Sequence, residues 1–184
     1  MCDSKKRLFV LSSPSAGGKT TLIKAVMNNM RNLSYSVSAT TRPPREGEKE
    51  GVDYFFLSDE TFRKKVEEGA FIEWAEVHGY YYGTLRNQVE AYLKEGKKVL
   101  LDLDVQGGLN LKKIEPEAVL IFLLPPSLEV LKQRLMDRGT ETEESMEKRL
   151  NLAVKEIKMA DQYDFQIIND RLEDTLEELE AVIR

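Results

Sequence analysis

The sequence predicts an α/β fold in which helices flank a parallel sheet, with a small β-rich lobe inserted and a short helical lid. Short apolar runs that suit buried strands alternate with stretches of helical periodicity. The first of these runs leads into a glycine-rich turn and then a helix, which is the order of elements in loops that bind phosphate groups. We therefore expect one domain built around an anion site.

Composition limits the classes of protein to consider. The chain has 184 residues, of which 41% are hydrophobic and 32% charged, as in a soluble globular domain. A formal net charge of −5 gives no electrostatic case for general binding to nucleic acid or anionic membranes. The longest apolar run, 118–124, is far short of the roughly 20 residues of a membrane span. The single cysteine, Cys2, excludes an intrachain disulfide and fits a cytoplasmic protein.

The elements of the core follow from periodicity and capping residues. Strands are expected at 8–11, 99–101, 119–123 and 165–168, and helices at 20–30, 85–94, 128–138, 142–159 and 172–183. Ser127 suits an N-cap and Gly96 a left-handed helix end. The last helix places Leu172, Leu176, Leu179 and Ile183 on one face, which predicts a core stripe.

The segment 34–84 differs from the rest. It holds paired prolines, several glycines and short aromatic-rich strands around a single helix near 61–68. We interpret it as the inserted lobe, with the core at about 1–33, 85–133 and 160–184. The lid is expected at about 134–159, with its tip in the polar link 137–142.

The glycine-rich turn carries the clearest chemical pattern. Gly18, Lys19 and Thr20 form the G-K-[ST] end of a phosphate-binding loop, in which backbone N–H groups surround an anion. The lysine reaches the outer phosphates and the hydroxyl holds Mg²⁺. Ser13 replaces the first glycine of the pattern, so an ordinary strand-to-helix turn remains an alternative for this segment alone.

Two arginines lie three residues apart on a loop stiffened by Pro43-Pro44. Arg42 and Arg45 can converge on one phosphate, since each offers a planar fork of donors. The hydroxyls of Tyr54 and Tyr82 could complete such a site. The alternative is two surface charges and two packing tyrosines.

Acidic residues occur in two strands. An extended 71–75 would place Phe71, Glu73 and Ala75 on one face, and Glu73 is then either an edge charge or a buried acceptor with a specific donor. Asp102 and Asp104 end a buried strand and are expected to point into a ligand crevice.

The arginines Arg134, Arg138 and Arg149 flank the expected lid tip. They can bind phosphates, or they can form salt bridges with glutamates of the same segment: Glu141, Glu143 and Glu144. The only histidine, His78, precedes a glycine in an expected turn and is not expected to be catalytic.

Together, these motifs resemble the guanylate kinase family, from Lys6 to the C-terminal helix. The stretch 36–45 with Gly47-Glu48 and Asp53-Tyr54 is similar to its GMP-phosphate loop, and 71–74 with 81–83 to its guanine-binding strands. The segments 101–107 and 138–144 also resemble stretches of this family. The resemblance implies a P-loop kinase core with an inserted nucleoside monophosphate-binding lobe. It also implies transfer of the γ-phosphoryl group of ATP to GMP, and to dGMP, with Mg²⁺. The expected partners are these nucleotides, without nucleic acid or membrane, for a monomer or weak homodimer.

The resemblance also implies roles for residues. Four would hold the GMP phosphate: Arg42, Arg45, Tyr54 and Tyr82. Glu73 would accept from the guanine N1–H and 2-amino groups, while Ser38 and Thr84 donate to O6 and N7. Asp102 and Asp104 would line the same cleft in roles that stay open.

At the ATP end, the implied binding residues are Pro14, Ser15, Ala16, Gly17, Gly18, Lys19, Thr20 and Thr21, with Thr20 on Mg²⁺ and Asn169 toward adenine. Arg134, Arg138 and Arg149 would close over the triphosphate. The implied catalytic set is Lys19, Arg42, Arg134, Arg138 and Arg149.

The chemistry agrees with this assignment. A carboxylate matches the adjacent N1–H and 2-amino donors of guanine, whereas adenine offers a lone pair at N1 and would leave the acid unpaired. The acceptor phosphate is already ionised, so catalysis needs positioning and charge neutralisation, not a general base. The lobe and the lid are expected to move inward when both nucleotides bind.

The chain departs from the family pattern in two places: at Ser13, and at Ala16 followed by Gly17. If position 16 needs a positive φ, alanine there carries strain of about 1 kcal/mol. Two other functions remain open: a binding module that recognises phosphopeptides without catalysis, and a P-loop kinase for another acceptor.

Overall fold

A computed structural model describes residues 7–77, 79–137 and 143–184, with the backbone alone at 143–145. The strands are β1 Leu8–Ser12, β2 Leu33–Ser36, β3 Ala39–Thr40, β4 Phe55–Phe56, β5 Phe71–Val77, β6 Tyr80–Leu85, β7 Lys98–Asp102, β8 Val119–Leu124 and β9 Phe165–Ile168. The helices are α1 Lys19–Asn29, α2 Asp59–Glu67, α3 Arg86–Lys94, α4 Val105–Ile114, α5 Leu128–Asp137, α6 Glu143–Ile157 and α7 Leu172–Ile183, with a 3₁₀ turn at Ala160–Gln162.

The core is a five-stranded parallel sheet in the order β2-β7-β1-β8-β9. Side chains of its central strand alternate between two apolar layers: Leu8 and Val10 belong to one, Phe9 and Leu11 to the other. Both layers are covered by helices, which is why the strand is continuously apolar. The predicted α/β class with a parallel sheet is confirmed.

The lobe is a second sheet, in the order β4-β3-β6-β5, packed on α2. Its centre is Phe62, 1% exposed, whose ring stacks on Phe71 at 4.5 Å and on Tyr81 at 5.5 Å. A Cβ at Gly83 would lie 2.8 Å from the Phe71 ring, so a glycine is needed where the sheet approaches this cluster. The lobe is therefore held by its own aromatic core.

Three features differ from the sequence-based expectations. The lobe was expected from about residue 34, but β2 up to Ser36 pairs with β7 in the core sheet. Helix α4 was not expected, since Gly107 and Gly108 weaken its helical pattern; a Cβ at Gly108 would lie 2.6 Å from the Tyr163 hydroxyl oxygen. At α7, Leu172 is 38% exposed, so only part of the predicted stripe is core.

The expected alternation along β5 is also wrong. The pairing of β5 with β6 shifts register between Phe71 and Trp74. Both of these rings contact Phe62, with centroids 4.5 and 6.5 Å away, so they share a face. Glu73 points instead toward Gly107 of α4, since a Cβ there would lie 3.2 Å from its Oε2. A bulge thus separates Phe71 from Glu73, which period-2 reasoning had placed together.

Among the residues that the structure describes, none of the helices is both long and apolar enough to cross a membrane.

Candidate nucleotide site

A cleft of about 750 Å³ lies between the core sheet and the lobe, at the carboxyl ends of β1 and β7. The predicted site residues that line it are Pro14, Ser15, Ala16, Gly17, Gly18, Lys19, Thr20, Ser38, Arg42, Arg45, Tyr54, Glu73, Tyr82, Asp102, Asp104 and Arg149. Residues that are far apart in sequence therefore meet in one cavity large enough for nucleotides.

The glycine-rich turn is folded as an anion cradle. Gly18, with φ 91°, precedes α1 without any side-chain cap, so backbone N–H groups at this helix end remain available to an anion. Ala16 has φ 64°, the positive value that the sequence analysis considered. Its methyl group is buried against Leu131 and Leu135 of α5 and Ala153 of α6, so alanine contributes packing as well as strain.

Ser13 and Gly17, which both belong to the departures from the family pattern, fit each other. A Cβ at Gly17 would lie 2.5 Å from Ser13 Oγ and 2.9 Å from Pro14 O. The serine side chain thus fills the space beside position 17 and requires glycine there. The Gly17 N–H also donates to Pro14 O at 2.9 Å, which closes the turn.

The lysine of the cradle is tied to the end of β7. Lys19 Nζ lies 2.7 Å from Asp102 Oδ1 and donates to Leu103 O at 3.0 Å. Asp104 is instead the N-cap of α4: its Oδ1 accepts from the Gly107 N–H at 3.0 Å. The two acids, whose roles the sequence left open, therefore separate into a lysine partner and a helix cap.

The two arginines of the lobe share one acid. Arg42 is 8% exposed and its Nη2 donates to Glu48 at 2.8 Å, while the Arg45 backbone N–H donates to the same carboxylate at 2.7 Å. The Arg42 guanidinium lies 5.4 Å from the Tyr54 ring centroid, which in turn lies 6.0 Å from the ring centroid of Tyr82. This cluster is a preformed cationic corner of the cleft.

The tyrosine of this corner stays protonated. Burial, followed by the charge of Asp102, raises the pKa of Tyr54 to about 12, so its hydroxyl can donate to an anion at neutral pH. Glu48 was not among the predicted site residues, although it lies three residues after Arg45 on the same loop. This short spacing from Arg45 was the feature of the sequence that could have indicated a role for Glu48 in the site.

Glu73 is a buried acceptor and not an edge charge. It is 5% exposed, and its Oε1 accepts from the Thr84 hydroxyl at 2.7 Å. Burial raises the pKa of Glu73 to about 7, an effect that the bond from Thr84 opposes and the charge of Asp104 supports. Ser38, 6% exposed, lines the same cleft. The single hydroxyl proton of Thr84 is used on Glu73 here, so it must turn to reach a bound base.

Two of the predicted site residues are linked to the cradle from outside the cleft, one of them through the other. Asn169 donates from Nδ2 to Gly17 O at 2.7 Å, and Arg134 donates from Nη2 to Asn169 O at 3.0 Å. These residues form a chain from α5 to the cradle and are not part of the cleft lining. Thr21 lies on α1, exposed, next to Thr20, which does line the cleft.

Several predictions lie outside the described residues: Arg138, His78 and Glu141, together with the side chains of Glu143 and Glu144. A further residue that sequence reasoning missed, Glu156 of α6, lines the cleft. It follows a helix already rich in glutamate, and no local pattern singles it out.

A phosphate loop at the carboxyl end of a parallel sheet, facing an arginine-bearing lobe across one cleft, defines a P-loop kinase. The family model for guanylate kinase matches residues 5–184. The chain belongs to the guanylate kinase family.

Curated relatives agree with this family. The chain is 47% identical to a guanylate kinase of Thermotoga maritima, covering 98% of this chain and 87% of the relative. It is 48% identical to one of Chlorobium chlorochromatii, covering 96% and 94%.

Solved structures give the same result. The crystal structure of guanylate kinase from Anaplasma phagocytophilum has a TM-score of 0.82 at 34% identity, covering 100% of this chain and 87% of that one. A shikimate kinase from Bacteroides thetaiotaomicron, with a TM-score of 0.52 at 16% identity and 95% and 96% coverage, shares the fold alone. The resemblance, the fold class and the prediction of a kinase are confirmed.

Proposed function

We propose that this chain transfers the γ-phosphoryl group of ATP to GMP, giving ADP and GDP, with the residue roles given below. Its family membership supports the reaction. The observation that supports the acceptor is the buried Glu73 carboxylate in the same cleft as two lobe arginines and the phosphate loop. Within the described parts of the chain, no specific contact favours another acceptor class.

The phosphates of ATP are bound by the backbone of 14–20 and by Lys19. The open N–H groups at the start of α1 and the Lys19 ammonium supply positive charge where negative charge is transferred. Lys19 is already positioned by Asp102 and Leu103 O, so it needs little reorganisation. Arg149 adds a second cation from the lid side of the cleft, with Arg134 holding the cradle through Asn169.

Thr20 suits the Mg²⁺ ion that accompanies ATP. Its hydroxyl lies at the second position of α1, exposed to the cleft beside Lys19, and a hydroxyl oxygen is a ligand that Mg²⁺ accepts. When bound, the ion neutralises charge on the phosphate oxygens.

The acceptor end has separate sites for phosphate and base. Arg42, Arg45, Tyr54 and Tyr82 bind the GMP phosphate, since all four line the same cleft and offer guanidinium and hydroxyl donors there. Glu73 accepts from guanine, and Ser38 and Thr84 lie beside it as hydroxyl donors. The reacting phosphate oxygen is already an anion, so these residues position it without removing a proton.

A panel of nucleoside monophosphates tests this function. ADP release with Mg²⁺–ATP is measured with GMP, dGMP, AMP, CMP and UMP for the parent and for Glu73→Gln. We expect turnover with GMP and dGMP, and a GMP preference over AMP that falls at least about tenfold in the variant. If the preference for GMP over AMP were unchanged in Glu73→Gln, Glu73 would not be the residue that recognises the base. No turnover with any acceptor would favour the phosphopeptide-binding module.

The cytoplasmic location, the absence of nucleic-acid partners and a monomeric or weakly dimeric state stay predictions. Cell fractionation, a filter-binding assay and sedimentation velocity test them in turn.

A further inference from the structure

Gly107, in the first turn of α4, lies directly beside the carboxylate of Glu73. A Cβ at this glycine would lie 3.2 Å from Glu73 Oε2 and 2.7 Å from Asp104 Oδ1. Both distances are shorter than ordinary van der Waals contact, which begins at 3.4 Å. A glycine hydrogen therefore fits between the two carboxylates, whereas a methyl group does not.

What Gly107 provides to Glu73 is space and not a hydrogen bond. The Gly107 N–H donates to Asp104 Oδ1 at 3.0 Å, and the Gly108 N–H donates to Asp104 O at 3.0 Å. These two donors of the first turn are thus used within the N-terminal end of α4. The Glu73 carboxylate can approach this helix only because position 107 has no side chain.

The carboxylate is also held on its opposite side. Glu73 Oε1 accepts from the Thr84 hydroxyl at 2.7 Å, and Thr84 is 1% exposed. The carboxylate thus lies between Thr84 of β6 and the first turn of α4. Since a packed residue already occupies the far side, a methyl group at position 107 would force the Glu73 side chain to rotate out of its place.

The core fixes the distance between β5 and α4. Ile72, the neighbour of Glu73, is 8% exposed and belongs to the same apolar cluster as Val105 of α4. The Val105 carbonyl accepts from the Tyr163 hydroxyl at 3.1 Å, and the Tyr163 ring packs edge-on against Phe122 at 5.0 Å. Close-packed interiors resist expansion by a methyl group. The strain of a larger residue at position 107 therefore falls on the adjacent carboxylates.

We propose that Gly107 is a positioning residue that determines base specificity: the absence of a Cβ there keeps the Glu73 carboxylate between Thr84 and α4, where it accepts from the N1–H and 2-amino groups of guanine. A displaced carboxylate would no longer face both donors, so the preference for GMP over AMP would fall while the phosphate sites stay intact. This inference rests on the proposed function, which assigns Glu73 to the base.

The test compares two glycine variants of the same helix. In the matched control, Gly108→Ala, the Cβ would instead meet the Tyr163 hydroxyl oxygen at 2.6 Å and Ser12 Oγ at 3.1 Å. Steady-state kinetics with GMP and with AMP are measured at pH 8, above the pKa of Glu73 of about 7. We expect Gly107→Ala to lower the preference for GMP over AMP at least about tenfold, with the KM for ATP changed less than about twofold. Gly108→Ala should keep this preference within about threefold of the parent.

Double variants separate the contact with Glu73 from the contact with Asp104. On a Glu73→Ala background no carboxylate is left to displace, so Gly107→Ala should change the preference for GMP over AMP by less than about twofold. On an Asp104→Ala background the contact with Glu73 remains, so Gly107→Ala should still lower the preference at least about fivefold. A preference restored by Asp104→Ala would assign the loss to Asp104 and overturn the inference. An unchanged preference in Gly107→Ala, or an equal loss in Gly108→Ala, would also overturn it.

Thermal melting shows whether each variant is folded. If Gly107→Ala does not fold, the double variant Glu73→Ala/Gly107→Ala should fold, because the contact with Glu73 Oε2 is absent from it. A double variant that also fails to fold would place the requirement for glycine elsewhere, which contradicts the inference.

The proposed function fails separately, through the parent enzyme. If the parent gives no ADP with GMP, the function is wrong. In that event, calorimetric titration of GMP into the parent and Gly107→Ala still tests the positioning of Glu73, with at least about tenfold weaker binding expected in the variant. Equal affinities, or no binding of GMP by the parent, would overturn the inference.

Discussion

Arg42 and Glu48 form an ion pair inside the cleft, with Nη2 of the arginine 2.8 Å from Oε1 and 3.0 Å from Oε2 of the acid. Burial opposes ionisation of Glu48, but hydrogen bonds from Arg42 and from the Arg45 amide lower its pKa. The arginine that is proposed to bind the GMP phosphate is therefore already oriented by an anion, and that anion also shapes the loop that carries Arg45.

Replacing this acid should weaken GMP binding. In Glu48→Ala, Arg42 loses its ion-pair partner and the Arg45 backbone loses its acceptor, so we expect the KM for GMP to rise about tenfold, equivalent to about 1.4 kcal/mol, with the KM for ATP unchanged. Steady-state kinetics measure both constants. Glu46→Ala, an exposed acid of the same loop, is the control and should behave as the parent. A lower KM for GMP in Glu48→Ala would mean that the acid competes with the substrate phosphate.

The raised pKa of Glu73, about 7, predicts a pH dependence of GMP recognition. Below that value the side chain becomes a neutral acid and presents a hydroxyl donor to the donors of guanine. We therefore expect the KM for GMP to rise as pH falls from 8 to 5.5, by about tenfold per unit well below the pKa. In Glu73→Gln the dependence should become shallower, because the amide does not titrate and only the GMP phosphate, with a second pKa of about 6, still does. A parent profile that stays flat for GMP would contradict the assignment.

The same group should affect stability with the opposite trend in pH. The folded state holds the proton of Glu73 up to a pKa of about 7, against 4.5 for an ordinary glutamate, so folding binds a proton between these values. The contribution is fully present below pH 4.5 and is lost as pH rises through 7. Glu73→Gln should thus gain about 1–3 kcal/mol in free energy of unfolding relative to the parent between pH 5 and pH 8. Urea unfolding at both pH values measures the difference, and an equal offset at both would refute it.

Two neighbouring positions of the cradle should respond very differently. Ala16→Gly relieves the strain of φ 64° but removes a buried methyl group, and these terms, each about 1 kcal/mol, nearly cancel. We expect the KM for ATP to change less than about threefold. Gly17→Ala should instead abolish ATP binding or reduce it at least about a hundredfold, because its Cβ would lie 2.5 Å from Ser13 Oγ. In Ser13→Gly/Gly17→Ala that contact is absent, and binding should return in part; no recovery would assign the loss to the contact with Pro14 O at 2.9 Å instead.

Contiguous patterns were sufficient to predict most elements. The strand at Phe165–Ile168 and the helix at Leu172–Ile183 have the expected bounds, since their periodicity is local. Helix α4 was missed because Gly107 and Gly108 reduce its helical propensity, and their small size is needed where Asp104 and Glu73 approach the first and Tyr163 the second. The requirement at Gly108 is set by residues more than 50 positions away and has no local signal.

The sequence by itself determined the phosphate cradle, the parallel sheet and the identity of the arginines and the acid proposed to read the nucleotide, because each lies in a short stretch whose chemistry depends on its own neighbours. The tertiary structure decided the rest. It turned Glu73 away from Phe71 through a bulge, and it separated Asp102, which pairs with Lys19, from Asp104, which caps α4. It also brought Glu156 of α6 into the same cleft as the phosphate loop. The direction in which a side chain points, and the residue that it contacts, depend on packing between segments that are distant in sequence. The free energy of that packing cannot be derived from any single segment.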